Sequence, residues 1–171
     1  MEFEDRLRDR DRWTAGACSA AKVLDLLNTK TAFLVIRECF YGTRRFEDFV
    51  DRVGTSAPAI SRALKQLEAA DIVARVPYRE PGMRARDEYH LTPAGEDLLP
   101  VFLALVQWGD THLQDGNGPL AFVDSDSGRR VRVCVTADGD GTLTPSSDIE
   151  IRVNKPVPLR RQAASTASKA E

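Results

Sequence analysis

Between Arg45 and Leu91 the chain reads RFEDFVDRVGTSAPAISRALKQLEAADIVARVPYREPGMRARDEYHL. Phe46, Phe49, Val50 and Val53 recur at the three- and four-residue spacing of an amphipathic helix, and Gly54 breaks it. Thr55 or Ser56 suits a helix N-cap, and Pro58 fits a first turn, where its missing N–H costs nothing. The helix predicted next buries Ile60, Ala63, Leu64 and Leu67 and shows Ser61, Arg62, Lys65 and Gln66 elsewhere. Two short amphipathic helices joined by a tight glycine-containing turn make a helix-turn-helix unit. The period then changes from helix to strand. Ile72–Arg79 predicts one strand, Glu80-Pro81-Gly82-Met83 a turn, and Ala85–Leu91 the returning strand. A basic hairpin placed there, carrying Arg79, Arg84 and Arg86, is a wing.

Upstream, Glu4–Trp13 predicts a short charged helix. Ser19 suits the cap of a helix through Lys22 to Asn28, with Val23, Leu24, Leu26 and Leu27 as its apolar residues. After Asn28-Thr29 a further helix carries Ala32, Val35, Ile36, Cys39 and Phe40 on one face, and Gly42 ends it. Downstream, Thr92 caps a long helix expected from Pro93 to about Leu113. It is apolar on two sides: Leu98, Val101, Phe102 and Leu105 form one stripe, and Leu99, Leu103 and Val106 another, with Trp108 beyond. One stripe covers a small domain; the second needs a second partner, and a twofold-related copy of the chain is the commonest supplier. A homodimer interface at Leu99, Leu103, Val106 and Trp108 is therefore expected. The alternative is that the C-terminal segment folds back over that stripe.

From Pro119 the pattern turns to short strands. Leu120–Val123 and Arg130–Val135 flank the turn Asp124-Ser125-Asp126-Ser127-Gly128, Asp138-Gly139-Asp140-Gly141 predicts another turn, and Ile149, Ile151 and Val153 alternate. The expected organisation is an N-terminal helical arm over 1–16, a winged helix-turn-helix DNA-binding and dimerisation domain over 17–115, a three-stranded β appendage over 119–154, and a disordered tail over 155–171. The fold class is α+β.

Hydrophobic residues at 42% and charged residues at 29% suit a globular chain rather than a disordered one. No window approaches the roughly 18 apolar residues of a membrane span, and Met1–Trp13 has no apolar leader stretch, so a cytoplasmic protein with no membrane partner is expected. The net charge of −2 hides an uneven distribution. Thr43–Arg86 holds nine basic and six acidic residues (9 − 6 = +3), whereas Asp87–Leu113 holds five acids and no Lys or Arg. The three cysteines, Cys18, Cys39 and Cys134, form neither a disulfide framework nor a C-x-x-C zinc motif. Asp138-Gly139-Asp140-Gly141 fails as a calcium loop, because the first and twelfth ligand positions would be Thr136 and Ser147. No metal or cofactor is expected. The two histidines, His90 and His112, have no nucleophile or carboxylate at a motif spacing, so no enzyme is expected.

A winged helix places its second helix in the major groove, where exposed side chains meet base edges. Those would be Ser56, Ala59, Ser61, Arg62 and Lys65. Arg62 suits guanine, whose O6 and N7 match its fork, and Lys65 suits a phosphate. Arg44 and Arg45, opening the first helix of the pair, and Arg79, Arg84 and Arg86 on the wing suit phosphates or a minor groove.

Cys18-Ser19 opening a helix, Arg45-Phe46, Ile60-Ser61-Arg62-Ala63-Leu64-Lys65-Gln66-Leu67-Glu68, Glu88-Tyr89-His90-Leu91-Thr92, Gly95 and Trp108-Gly109 together resemble the HxlR-type winged-helix regulators, over roughly Ala17–Leu113. Two positions depart from that pattern: Ser19 stands where proline is usual, and Asp71 where glycine closes the recognition helix. The resemblance implies a bacterial transcriptional regulator that binds double-stranded DNA at an inverted repeat as a homodimer. It also implies that Cys18 is the candidate redox-sensing thiol, and a thiolate at a helix N-terminus is favoured by the dipole. A small-molecule effector is the other expected signal. The competing function is a winged-helix protein-interaction module without specific DNA binding.

Overall fold

The computed structural model describes residues 2, 3, 5, 18–82, 84–137, 150 and 151. The expected helix over Glu4–Trp13, the 138–141 turn and the 155–171 tail lie outside them, apart from Asp5. The chain divides into two compact units, Leu26–Val133 and a second made of Met1–Asp25 with Cys134–Glu171.

Helix α1 (Ser19–Leu26) belongs, but for Leu26, to the second unit; the larger unit begins with helix α2 (Lys30–Phe40), capped by Thr29, whose hydroxyl accepts the Ala32 N–H at 3.1 Å. It buries Ala32, Val35, Ile36 and Cys39, the face its periodicity marks. Helix α3 (Phe46–Val53) sets Phe49 in the core and stops at Gly54, whose φ of +68° a side chain would strain. Helix α4 (Ala57–Ala69) adds Ile60, Ala63, Leu64 and Leu67. Strands β2 (Val73–Tyr78) and β3 (Arg86–Leu91) pair antiparallel from Val73↔Leu91 to Tyr78↔Arg86. Arg45 bridges to Glu88, and the Tyr89 N–H donates to the Arg44 carbonyl at 2.8 Å, so the entry to α3 lies along the wing's outer edge.

The end of α4 explains the departure at Asp71. The Ile72 N–H donates to Leu67 O at 2.9 Å and the Asp71 N–H to Glu68 O at 3.0 Å, a Schellman closure. It forces Asp71 to φ +57°, where glycine is the usual residue and aspartate is tolerated at some cost. The Thr92 hydroxyl ties this turn to the next element: it donates to Asp71 O and accepts the Gly95 N–H at 3.1 Å.

Three expectations need correction. The long helix from Pro93 is two helices, α5 (Pro93–Glu96) and α6 (Leu99–Leu113). Pro100 has no N–H to give Glu96, so the helix ends and restarts around it. Next, the expected three-stranded appendage is not seen as a sheet among the described residues, and most of its third strand, with Ile149 and Val153, lies outside them. The 124–128 turn forms: Asp124 Oδ1 accepts Ser127 N–H at 2.8 Å and Ser127 O–H at 2.6 Å, which holds its carboxyl below the usual range. Across it Val123 and Arg130 bridge and the Val131 N–H donates to Phe122 O at 2.9 Å; further on, the peptide groups of Val133 are taken by the Gln107 side chain. β4 (Glu150–Ile151) instead pairs in parallel with β1 (Glu2–Phe3). The last correction concerns the apolar stripes of α6. Phe102 is in the core, whereas Val101, Leu105 and Trp108 form an exposed stripe. Leu103 and Val106 are half-buried under the 120–132 hairpin, the fold-back alternative, and Leu99 is 38% exposed. No helix among the described residues is long and apolar enough to cross a membrane.

A β-carbon on Gly95 would stand 2.2 Å from the Ile72 carbonyl oxygen. Gly95→Ala is therefore expected to destabilise the domain by about 2 kcal/mol or more. Asp71→Gly, which removes the left-handed strain, is expected to stabilise it by about 0.5–1 kcal/mol. Urea unfolding followed by circular dichroism reads both; a neutral Gly95→Ala would show that α5 does not seat on Ile72.

Candidate nucleic-acid interface

The side chains expected to meet DNA come from three places: the entry to α3, the outer face of α4, and the wing. On α4 the pattern that buries Ile60, Ala63, Leu64 and Leu67 leaves Arg62 and Lys65 exposed, with Ser61 and Ala59 half-buried beside them. Neither cation has a carboxylate partner among the described residues. Ser56 stands at the N-cap with extended backbone and makes no side-chain capping bond, so its hydroxyl is uncommitted.

The arginines around the wing are in a different state. Arg44 is half-buried and donates to Cys39 O at 2.9 Å and Thr43 O at 3.3 Å, closing the C-terminus of α2. Arg45 is held by Glu80 at 2.8 Å and Glu88 at 3.4 Å, with its guanidinium 4.7 Å from the centre of the Tyr78 ring. The hydrogen bonds to Glu80 and then Glu88 raise its already high pKa further. Arg86 pairs with Glu47 at 3.3 Å, and Arg75 with Glu68 at 2.7 Å. Arg84 is exposed without such a partner among the described residues, and Arg79 is exposed at the strand end. Arg45, Tyr78, Glu80, Arg84 and Arg86 surround a shallow notch at the wing base.

The cation positions were therefore legible in the sequence, but their carboxylate partners were not. Glu47, Glu80 and Glu88 reach Arg86 and Arg45 across elements, and only the wing's register could have signalled the Arg45–Glu88 pair. Also missed was Glu38, a buried carboxylate of α2 that Arg37 at 2.7 Å and the Thr43 hydroxyl at 3.2 Å satisfy. Thr43 in turn accepts from Arg52 of α3 at 2.8 Å, so this chain of polar contacts fixes α3 on α2.

The three thiols separate cleanly. Cys39 is in the core, and burial pushes its pKa up to about 12, so it stays a neutral thiol. Cys18 is exposed just before α1, and Cys134 is exposed in the other part of the sequence. No group of three His, Cys, Asp or Glu side chains among the described residues is placed to hold a metal ion.

A family model of HxlR-like helix-turn-helix proteins matches residues 26–117. An HTH-type transcriptional regulator of Mycobacterium tuberculosis is 37% identical over 101 residues, which are 59% of this chain and 63% of that protein. The match thus spans under two thirds of the mycobacterial relative. Another, from Synechocystis sp., is 36% identical over 102 residues, 59% of this chain and 74% of its own length. Of solved structures, that of PA1607, named as a transcription factor, superposes with a TM-score of 0.70 at 26% identity, covering 80% of this chain and 94% of that one. The reduced form of the transcriptional regulator YodB from B. subtilis superposes with a TM-score of 0.50 at 26% identity, covering 58% and 98%. With the matched segment spanning more than half of the 171 residues and coinciding with the helix-turn-helix and wing, the chain belongs to the HxlR-like helix-turn-helix family.

Proposed function

We propose that the protein is a sequence-specific DNA-binding transcriptional regulator of the cytoplasm that acts as a homodimer on an inverted-repeat operator, and not an enzyme. The observation that carries this is the pair Arg62 and Lys65, exposed and without a carboxylate partner among the described residues, on the helix that a helix-turn-helix offers to the major groove, beside a wing that carries Arg84. Arg62 reads guanine; Lys65 and Arg84 contact phosphates. The names of the relatives support the regulator reading. Dimerisation falls to the exposed stripe Val101, Leu105 and Trp108, with Leu99 at its margin.

Binding of the upstream region of the protein's own gene, titrated with salt, tests the assignment. Arg62→Ala is expected to cost about 1–3 kcal/mol on the operator and to erase preference over scrambled DNA. Lys65→Ala should weaken both DNAs alike and flatten the salt slope by about 1. A wild-type protein with no DNA affinity at low salt would favour the protein-interaction module instead.

The wing carboxylates make a second test. Glu80 competes with phosphate for Arg45 and repels phosphate itself. Glu80→Gln is expected to tighten DNA binding several-fold and to steepen the salt slope by about 1. Unchanged binding would show that Arg45 stays a strut of the wing when DNA is bound.

Signal input is assigned to Cys18, an exposed thiol at a helix start, or to a small effector. HypR, a redox regulator solved in its oxidised form, superposes with a TM-score of 0.50 at 27% identity, which favours testing the thiol first. A thiol reagent at pH 8 should label two of the three cysteines in the native protein, leaving Cys39 unreacted. Peroxide should then lower operator affinity in wild type but not in Cys18→Ser; a mutant that still responds excludes the thiol switch.

A further inference from the structure

Between α6 and the hairpin that follows it lies a cavity of about 210 Å³. Its apolar wall includes Leu103, Val106 and Phe122, and Arg130 and Arg132 stand in the same lining with Asp110. We propose that this cavity binds a small organic monocarboxylate, one aromatic ring or a short branched chain in size, and that this ligand is an effector. The binding stands on the cavity alone; only the effector role rests on the DNA-binding function proposed above.

The size sets the first limit. Pockets for drug-sized ligands run to roughly 300–1,000 Å³, so the occupant here is smaller. Charge sets the second. Arg37, Arg45, Arg75 and Arg86 each hold a carboxylate of the protein, whereas Arg130 and Arg132 hold none among the described residues. Two uncommitted guanidiniums beside apolar side chains suit a carboxylate on an apolar body, through forked, charge-assisted hydrogen bonds. Asp110, the one carboxylate in the lining, disfavours a second negative charge, so a monoanion fits better than a dianion.

The walls are held in place by contacts that leave the cavity itself open. The Gln107 amide grips the Val133 backbone twice, donating to its carbonyl at 3.1 Å and accepting its N–H at 3.2 Å. Gly118 lies so close to Asp110 that any β-carbon would fall 2.1 Å from the carboxyl carbon. The wall is also joined to the DNA-binding core. Phe122 stands edge-on to Phe102 at 5.8 Å, and Phe102 stacks on Phe40 of α2 at 5.6 Å. A ligand that moves Phe122 therefore repacks the helix on which α3 and α4 rest.

Calorimetric titration of the full chain without DNA, at low salt, tests the site with benzoate, isovalerate and the uncharged isostere benzamide. At least one carboxylate is expected to bind about tenfold more tightly than benzamide. The Arg130→Gln/Arg132→Gln double variant should lose that preference while keeping the wild-type melting temperature, since both side chains are exposed. Failure of both carboxylates to bind at millimolar concentration, or equal binding by the double variant, overturns the site. A saturating carboxylate should then change operator affinity at least threefold in wild type and not in the double variant. An occupied site with unchanged operator affinity overturns the effector role, whereas loss of all DNA binding in the ligand-free protein would be the failure of the regulator assignment instead.

Discussion

The backbone at Ile72 is the point on which the helix-turn-helix and its wing depend. Its N–H closes α4 on the Leu67 carbonyl, and its own carbonyl accepts the Thr92 N–H at 3.1 Å. Gly95 packs directly on that carbonyl. One residue thus ends the recognition helix, opens β2 and seats α5. Ile72 and Leu67 are both buried, so a polar group left unpaired here would cost about 1–3 kcal/mol. That penalty leaves the Ala70–Asp71 turn a single conformation, and with it the placement of Arg62 and Lys65 relative to the wing. The left-handed Asp71 is the strain accepted for that definition.

The same rigidity explains why the charges matter less by number than by engagement. The segment from Thr43 to Arg86 has nine cations, yet several are struts: Arg44 ends α2, Arg45 ties α3 to the wing, Arg75 ties α4 to β2. The ion pairs at Arg45, Arg75 and Arg86 are largely exposed, and such pairs contribute about 0–1 kcal/mol each. They are weak enough for phosphate to displace them, but each displacement returns less than a free arginine would give. Arg62, Lys65 and Arg84 are exposed and hold no carboxylate among the described residues, while the paired arginines hold the shape. Glu47, Glu68 and Glu80 are in this way spent locally on the arginines of the same segment.

What the sequence disclosed follows from where single-chain periodicity suffices. Helices α2, α3 and α4 each bury one face against the others, so their apolar spacing marked Ala32, Val35, Ile36, Phe49, Ile60, Leu64 and Leu67 without ambiguity. The wing carried its own turn, Pro81-Gly82. The failures lie where a distant group replaces a local one. Arg130–Val135 alternates like a strand, but Gln107, 26 residues away, takes the hydrogen bonds a neighbouring strand would have made. Pro100, which has no N–H to donate, is the local signal of the break in the expected long helix. The α6 stripes were divided wrongly because periodicity shows which residues share a face and says nothing of which face meets the core. In the candidate site the cations could be named from sequence; their partners Glu47, Glu80 and Glu88 depend on tertiary register.

Helix α6 has three faces with three different neighbours. Phe102 sits among Phe33, Phe40, Tyr41 and Phe122, inside the fold. Leu103 and Val106 line the cavity under the hairpin. Val101, Leu105 and Trp108 face out, and a second copy of the chain would cover them. A helix is stiff, and a packed core responds by switching between arrangements rather than by yielding smoothly. A change in the cavity that turns α6 must therefore shift Phe102 against α2 and tilt the outer stripe together. In the homodimer proposed above, the distance between the two α4 helices would have to match about one turn of DNA, 34–36 Å. The short break at Asp97–Leu98 separates α6 from α5, whose Gly95 packs on the Ile72 carbonyl.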